Sequence, residues 1–213
     1  EKDFPDVRIE TLAYMTAEAP SRKTKVHPDV IIWMAPIMKD SSRPIPAPQV
    51  NYSRDLGDMS QHTHMIPKER WIRKTYENLL GWGRVAENIY IWDYPQSFHD
   101  FLVPYPSLWA NAENIRIFAE NGVTGYFPQQ PNTDGSEMRY LRNHMISRLQ
   151  WRPDLDAREV VKEFCLLYYG SGAGAAIREY IDLLHASVLE SVRPLWWGGY
   201  MDDGGLPELA GIM

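Results

Sequence analysis

The stretch Ile89-Tyr90-Ile91-Trp92-Asp93-Tyr94-Pro95 decides the fold of this chain. Ile89, Tyr90, Ile91 and Trp92 are β-branched or aromatic, the types that fit a pleated, covered surface. Asp93 is unwelcome inside a strand, and Pro95 cannot donate a ladder hydrogen bond, so the strand should stop there. A carboxylate and a phenol, Asp93 and Tyr94, then stand at the C-terminal end of a covered strand. That is where α/β proteins place their sites.

Working outward, the segment before this strand, 68–87, carries Trp71, Thr75, Leu79, Trp82 and Ala86 on one helical stripe. After it, a loop with Pro95, Pro104 and Pro106 leads to Ser107, the expected N-cap of a helix reaching about Asn121. Gly122 suits the stop of that helix. Val123-Thr124-Gly125-Tyr126-Phe127 is a further strand, halted by Pro128. Upstream, residues 6–14 alternate. Val7, Ile9, Thr11 and Ala13 share one face, expected to meet helices; Arg8, Glu10, Leu12 and Tyr14 share the other, expected to fill an interior. There Arg8 and Glu10 read as a buried network, and Tyr14 stands at the rim. Residues 30–37 form a continuous apolar run, as in a strand covered on both faces. Further helices are expected over 136–150, from an Asp156 cap to Tyr168-Tyr169-Gly170, and over about 173–192.

Strands alternating with helices in this way imply a parallel sheet with helical crossovers. Four strands cannot close a (β/α)8 barrel of roughly 250 residues. They could form half of one, and the chain reads as a fragment. A small doubly wound sheet is the alternative, but the Gly-rich phosphate loop expected after its first strand is missing. The expected organisation is a partial β/α barrel over 1–135, helices packed on it over 136–192, and an irregular tail over 193–213. The open sheet of a half-barrel predicts cover by a missing N-terminal half-barrel or by a second copy.

Composition narrows the function classes. The 213 residues carry a net charge of -6, and no Lys/Arg run rises above the background, which argues against nucleic acid or an anionic membrane as partner. The short cluster Arg22-Lys23-Thr24-Lys25 reads as a solvated loop. No stretch approaches the roughly 18 apolar residues of a membrane span. The single cysteine, Cys165, allows no intrachain disulfide and no Cys-based metal site, and it does not fix the compartment. His62-Thr63-His64 has metal-ligand spacing but no third ligand, so it reads as part of a long polar loop over 38–67. No metal and no cofactor is expected. The 8 Trp and 12 Tyr are numerous enough to supply both core and sugar-stacking rings.

A series of short motifs carries a resemblance. Ile9–Tyr14, the run 29–36, Ile91-Trp92-Asp93-Tyr94 with Phe98, and Pro104-Tyr105-Pro106 come first. Asn121–Gly125, Gln129-Gln130, Leu141-Arg142-Asn143, Leu149–Pro153 with Asp156, and Glu163-Phe164 with Tyr168-Tyr169-Gly170 follow. In order and spacing the chain resembles, over roughly residues 6–185, the bacterial family catalogued as domain of unknown function 4838. The resemblance implies a glycoside-hydrolase-like barrel, distantly similar to α-glucuronidases and to hexosaminidases of glycosidase family 20. It also implies an extracytoplasmic location. In those relatives a catalytic acid follows the fourth strand, which places it upstream of this chain.

Glycoside hydrolysis by the usual route needs two carboxyls, about 5–5.5 Å apart for retention or about 6.5–9.5 Å for inversion. Asp93 is the best-placed carboxylate and the candidate catalytic residue, as base, nucleophile or hydroxyl anchor; the structural alternative is an Asp that orients a neighbouring loop. Tyr14 and Tyr94 can donate hydrogen bonds to a sugar. Gln129 and Gln130 suit bidentate recognition of hydroxyls, and His99 is a loop-borne candidate at the same site. Serine-hydrolase, zinc-protease and Walker motifs are absent. The expected function is a glycoside-hydrolase-like domain acting on a glycan or glycoside, with a non-catalytic carbohydrate-binding barrel as the alternative.

Overall fold

The computed structural model describes residues 7–47, 74–98, 101–130, 135–190, 195–196 and 199–200. Four strands, β1 (Ile9–Tyr14), β2 (Val30–Ala35), β3 (Asn88–Asp93) and β4 (Val123–Pro128), form one sheet in sequence order. Every neighbouring pair is parallel. α1 (Thr75–Val85) precedes β3, and α2 (Leu108–Glu120) joins β3 to β4. α3 (Arg139–Trp151) and α4 (Ala157–Glu190) follow.

Both crossover helices cover one face of the sheet. Ala13, Ile32, Met34, Ile89 and Ile91 point from the strands into a core with Leu79 and Trp82 of α1 and Ile117 and Phe118 of α2. Strands laid down in sequence order, with helices on one side, follow the singly wound path of a barrel. A doubly wound sheet reverses its strand order at a switch point and is covered on both faces. The α/β architecture is therefore that of half a (β/α)8 barrel followed by helices. A second core continues the helical layer: Leu108 and Ile115 of α2 meet Leu141, Met145 and Leu149 of α3 and Val161, Cys165 and Ile181 of α4.

Several local expectations need correction. Residues 68–73 of the first expected helix lie outside the described residues. Ser107 occupies the N-cap position of α2 but does not cap it. Its hydroxyl donates to the Pro95 carbonyl at 2.6 Å, while the Leu108 N–H donates to His185 Nε2 at 3.0 Å. A side chain 77 residues away therefore satisfies one helix-end donor. Arg8 and Glu10 are exposed, not buried, because β1 is an edge strand; Val7 and Ile9 are exposed with them. α4 does break at Gly170, whose φ of 78° and ψ of 172° suit glycine alone. Asp156 Oδ1 accepts the Arg158 N–H at 2.8 Å and so starts that helix.

The segment expected to be an irregular tail holds a small antiparallel pair, β5 (Leu195–Trp196) and β6 (Gly199–Tyr200). Leu195 is fully buried. Its N–H donates to Asp40 Oδ1 at 3.1 Å, and its carbonyl accepts the Ser41 N–H at 2.6 Å. The turn after β2 thus becomes its partner, a long-range contact that leaves no periodic trace in sequence.

Candidate functional site at the strand ends

Strand parity sets the site. In β3, Ile89, Ile91 and Asp93 share the helix-covered face, so Asp93 continues a core row. Tyr90, Trp92 and Tyr94 alternate to the opposite, open face. The pairing of β3 with β4 slips by one residue after Ile89, where Val123 and Thr124 together oppose one partner. This bulge turns Tyr126 to the helix face, opposite Ile91, and turns Phe127 to the open face, opposite Trp92. Gly125 lies beneath the Tyr90 ring, which an added Cβ would approach to 2.5 Å.

Asp93 has no solvent exposure. Its Oδ1 meets Lys39 Nζ at 2.7 Å and accepts the Tyr94 N–H at 2.7 Å. Its Oδ2 accepts the Tyr126 hydroxyl at 2.7 Å. Lys39, from the turn after β2, is equally buried and also donates to the Tyr94 carbonyl at 3.2 Å and to Ser41 Oγ at 3.4 Å. A buried ion pair needs this completeness, because losing one partner strands a charge at a cost of about 3–5 kcal/mol. Burial, and next the Asp93 charge, push the Tyr126 phenol well above its ordinary pKa, so it stays a donor. The group as it stands fastens the C-terminal ends of three strands together.

The rim residues lie on the other side of the sheet. The half-buried Tyr14 and Tyr94 hydroxyls hydrogen-bond to each other, and burial raises both pKa values. The Tyr94 ring meets Phe98 edge-on at 5.8 Å. Gln129 Oε1 accepts the Trp92 indole N–H at 2.6 Å, which fixes the amide in one orientation. Gln130 Oε1 is buried without a hydrogen-bond partner. Below them Trp33, Tyr90, Trp92 and Phe127 form an edge-to-face cluster, with Trp33 5.1 Å from Tyr90 and Trp92 4.9 Å from Phe127. Tyr14, Tyr94 and Gln129 therefore gather at the C-terminal end of the open face with Gln130 beside them, while Asp93 is turned away from it. His99, His62 and His64 lie outside the described residues.

Among the described residues no second carboxylate approaches Asp93 from this sheet's open face. Glu10 is in register with Ile31 and Asn88, five residues below Asp93. At about 3.3 Å per residue that is roughly 16 Å along the strand, beyond the separation for either stereochemical course. Among the described residues no three His, Cys, Asp or Glu side chains gather to hold a metal ion. None of the described helices is long and apolar enough to cross a membrane.

Sequence reasoning missed two basic residues. Lys39 directly follows an apolar run, and Arg142 stands in Leu141-Arg142-Asn143; each is a charge embedded among core residues, and that was the available signal. Arg142 is fully buried and donates to the Pro95 carbonyl (3.2 Å), Ser107 Oγ (2.7 Å), the Tyr105 carbonyl (3.3 Å) and Glu137 Oε2 (2.7 Å). Burial raises the Glu137 pKa against the opposing pull of Arg142. Arg142 thereby pins the β3–α2 loop, which borders the rim, onto α3.

Comparison with curated proteins and with solved structures finds no match. A family model does match, over residues 1–182, and its span takes in the sheet, the rim and the first arm of α4. By that match, the chain belongs to the family described as domain of unknown function DUF4838.

Proposed function

We propose that this chain is the glycan-facing part of a glycoside-hydrolase-like barrel, and that its own side chains bind and orient a glycan or glycoside. The observation that carries this reading is the open face. Rings of Trp33, Trp92 and Phe127 lead to an uncharged rim of Tyr14, Tyr94, Gln129 and Gln130. Ring faces match the apolar faces of a pyranose, and phenols and amides both donate to and accept from its hydroxyls. In this reading the carboxyl pair comes from the polypeptide that completes the barrel and leaves the C-terminal rim with its rings open to the glycan. Asp93 then acts as a positioning residue, through Tyr94 and Tyr126.

A second reading keeps Asp93 as the catalytic carboxylate, supported by its place at a strand's C-terminal end. It requires Lys39 and Tyr126 to release both oxygens when substrate enters. Two assays separate the readings: electrophoresis through gels cast with soluble polysaccharides, and an aryl-glycoside panel. The binding reading predicts retarded migration and no hydrolysis by these residues alone. Hydrolysis that Asp93→Asn abolishes in a folded protein favours the catalytic reading. Unretarded migration in every polysaccharide, with every glycoside intact, refutes both.

A further inference from the structure

We infer that a groove on the outer edge of β4 is a subsite for one neutral sugar ring; this rests on the glycan reading above and extends the site onto α3. The groove has a volume of about 240 Å³. Phe127, Pro128, Gln129 and Gln130 form one wall, and α3 forms the other through Asn143, Ser147 and Gln150.

The backbone of β4 makes this space a pocket and not a slot for the next strand. The Gln129 N–H donates to the Asp93 carbonyl at 2.9 Å, so residues 127 and 129 turn their backbone groups towards β3. By alternation, Tyr126 and Pro128 turn theirs to the outer edge. Pro128 has no N–H, and the Tyr126 carbonyl already accepts Gln150 Nε2 at 2.9 Å. A strand laid here finds no donor at Pro128 and must displace Gln150. These are the devices that close a sheet edge. Pairing with any further strand is left to the N-terminal half of β4.

The lining chemistry selects the ligand. Gln129, Gln130, Asn143 and Ser147 offer donors and acceptors, and none of the described lining residues carries a charge. Gln130 lines the groove and its buried Oε1 lacks a donor, so a turn of this amide into the groove would let a sugar hydroxyl supply one. Phe127, 42% exposed and held edge-to-face by Trp92, adds an apolar surface to the groove wall. The volume lies below the roughly 300–1,000 Å³ of drug-sized sites and suits one ring. A uronate or phosphate group entering here gives up hydration and meets no cation in exchange.

The test is titration of the isotope-labelled protein with neutral methyl pyranosides of the xylo, gluco, galacto and manno series, with methyl glucuronide as the charged comparator. At least one neutral probe should move the side-chain amide signals of Gln129, Gln130 and Asn143 saturably, and bind more tightly than the glucuronide. Ser147→Trp fills the groove from an exposed helix position and should weaken binding about tenfold or more. If that variant disturbs the fold, Asn143→Ala, a truncation at an exposed position, should weaken binding about threefold. Shifts confined to the Tyr14–Tyr94 rim, or binding indifferent to both substitutions, overturn the groove and leave the glycan reading standing. Tighter binding of the glucuronide overturns the neutral specificity. No saturable shift with any probe overturns the groove, while retardation in polysaccharide gels still tests the broader reading separately.

Discussion

His185 provides a stability switch whose sign and size can be worked out. Its Nδ1–H donates to the Ile181 carbonyl at 2.7 Å, and its Nε2 accepts the first N–H of α2, from Leu108, at 3.0 Å. The ring lies 5.3 Å from the Trp109 indole and is 6% exposed. Burial lowers its pKa to about 4 from the ordinary 6.5; Ile181 opposes the shift, and Asp182, Arg142 and Arg158 are the charged groups around it. Protonation turns the Nε2 acceptor into a donor that faces another donor. The unfolded chain takes up the proton near pH 6.5 and the folded chain only near 4. Stability from the neutral ring is therefore complete above pH 6.5 and is lost as pH falls towards 4. The gap between the two values corresponds to about 3 kcal/mol. At pH 4.5 most of that should already be gone. Urea unfolding between pH 7.5 and 4.5 measures it, with His185→Gln as the non-titrating reference that can still accept from Leu108. The difference between the two profiles cancels carboxylate titration common to both. Profiles that stay parallel within about 0.5 kcal/mol would show that the ring is not the coupled group, and the reasoning fails.

Three further perturbations follow from the packing. Asp93→Ala and Lys39→Met should each cost about 3–5 kcal/mol, while Lys39→Met combined with Asp93→Leu should cost clearly less than the sum; additive costs in urea melts would mean the pair is not coupled. Gly125→Ala should cost about 1–3 kcal/mol by pushing on the Tyr90 ring, with a changed near-ultraviolet circular dichroism; an unchanged spectrum and stability would place the ring elsewhere. Arg142→Lys should leave α3 intact but speed amide exchange in residues 101–107, since a lysine cannot bridge Pro95, Ser107, Tyr105 and Glu137 together; unchanged exchange there would deny the anchoring role.

Element identity was legible because the apolar periodicities are strong. The strand 89–93, the helix ending at Gly122 and the break at Gly170 all follow from local patterning. The orientation of Asp93 was also within reach, since it shares parity with Ile89 and Ile91, but its place at a strand end suggested a rim. Tyr126 was out of reach. Its direction depends on the bulge at Thr124, a pairing property of two strands that neither encodes alone. The same applies to His185 and Leu195, whose partners lie 77 and 155 residues away. Ser107 has the residue type of a cap, but the Pro95 carbonyl competes for its hydroxyl, and no local rule weighs that competition. The groove beside β4 needs α3 to be docked before Asn143 and Ser147 face the glutamines.

The central claim, that the open face binds a glycan, is tested most directly by tryptophan fluorescence during titration with neutral gluco- and xylo-oligosaccharides. Trp33 and Trp92 lie half-buried on that face, so stacking a sugar against them should change emission saturably. The predicted result is a saturable change with at least one neutral oligosaccharide that Trp92→Phe diminishes while the urea midpoint stays close to wild type. The contradicting result is flat emission across the neutral series, or a saturable change that Trp92→Phe leaves untouched.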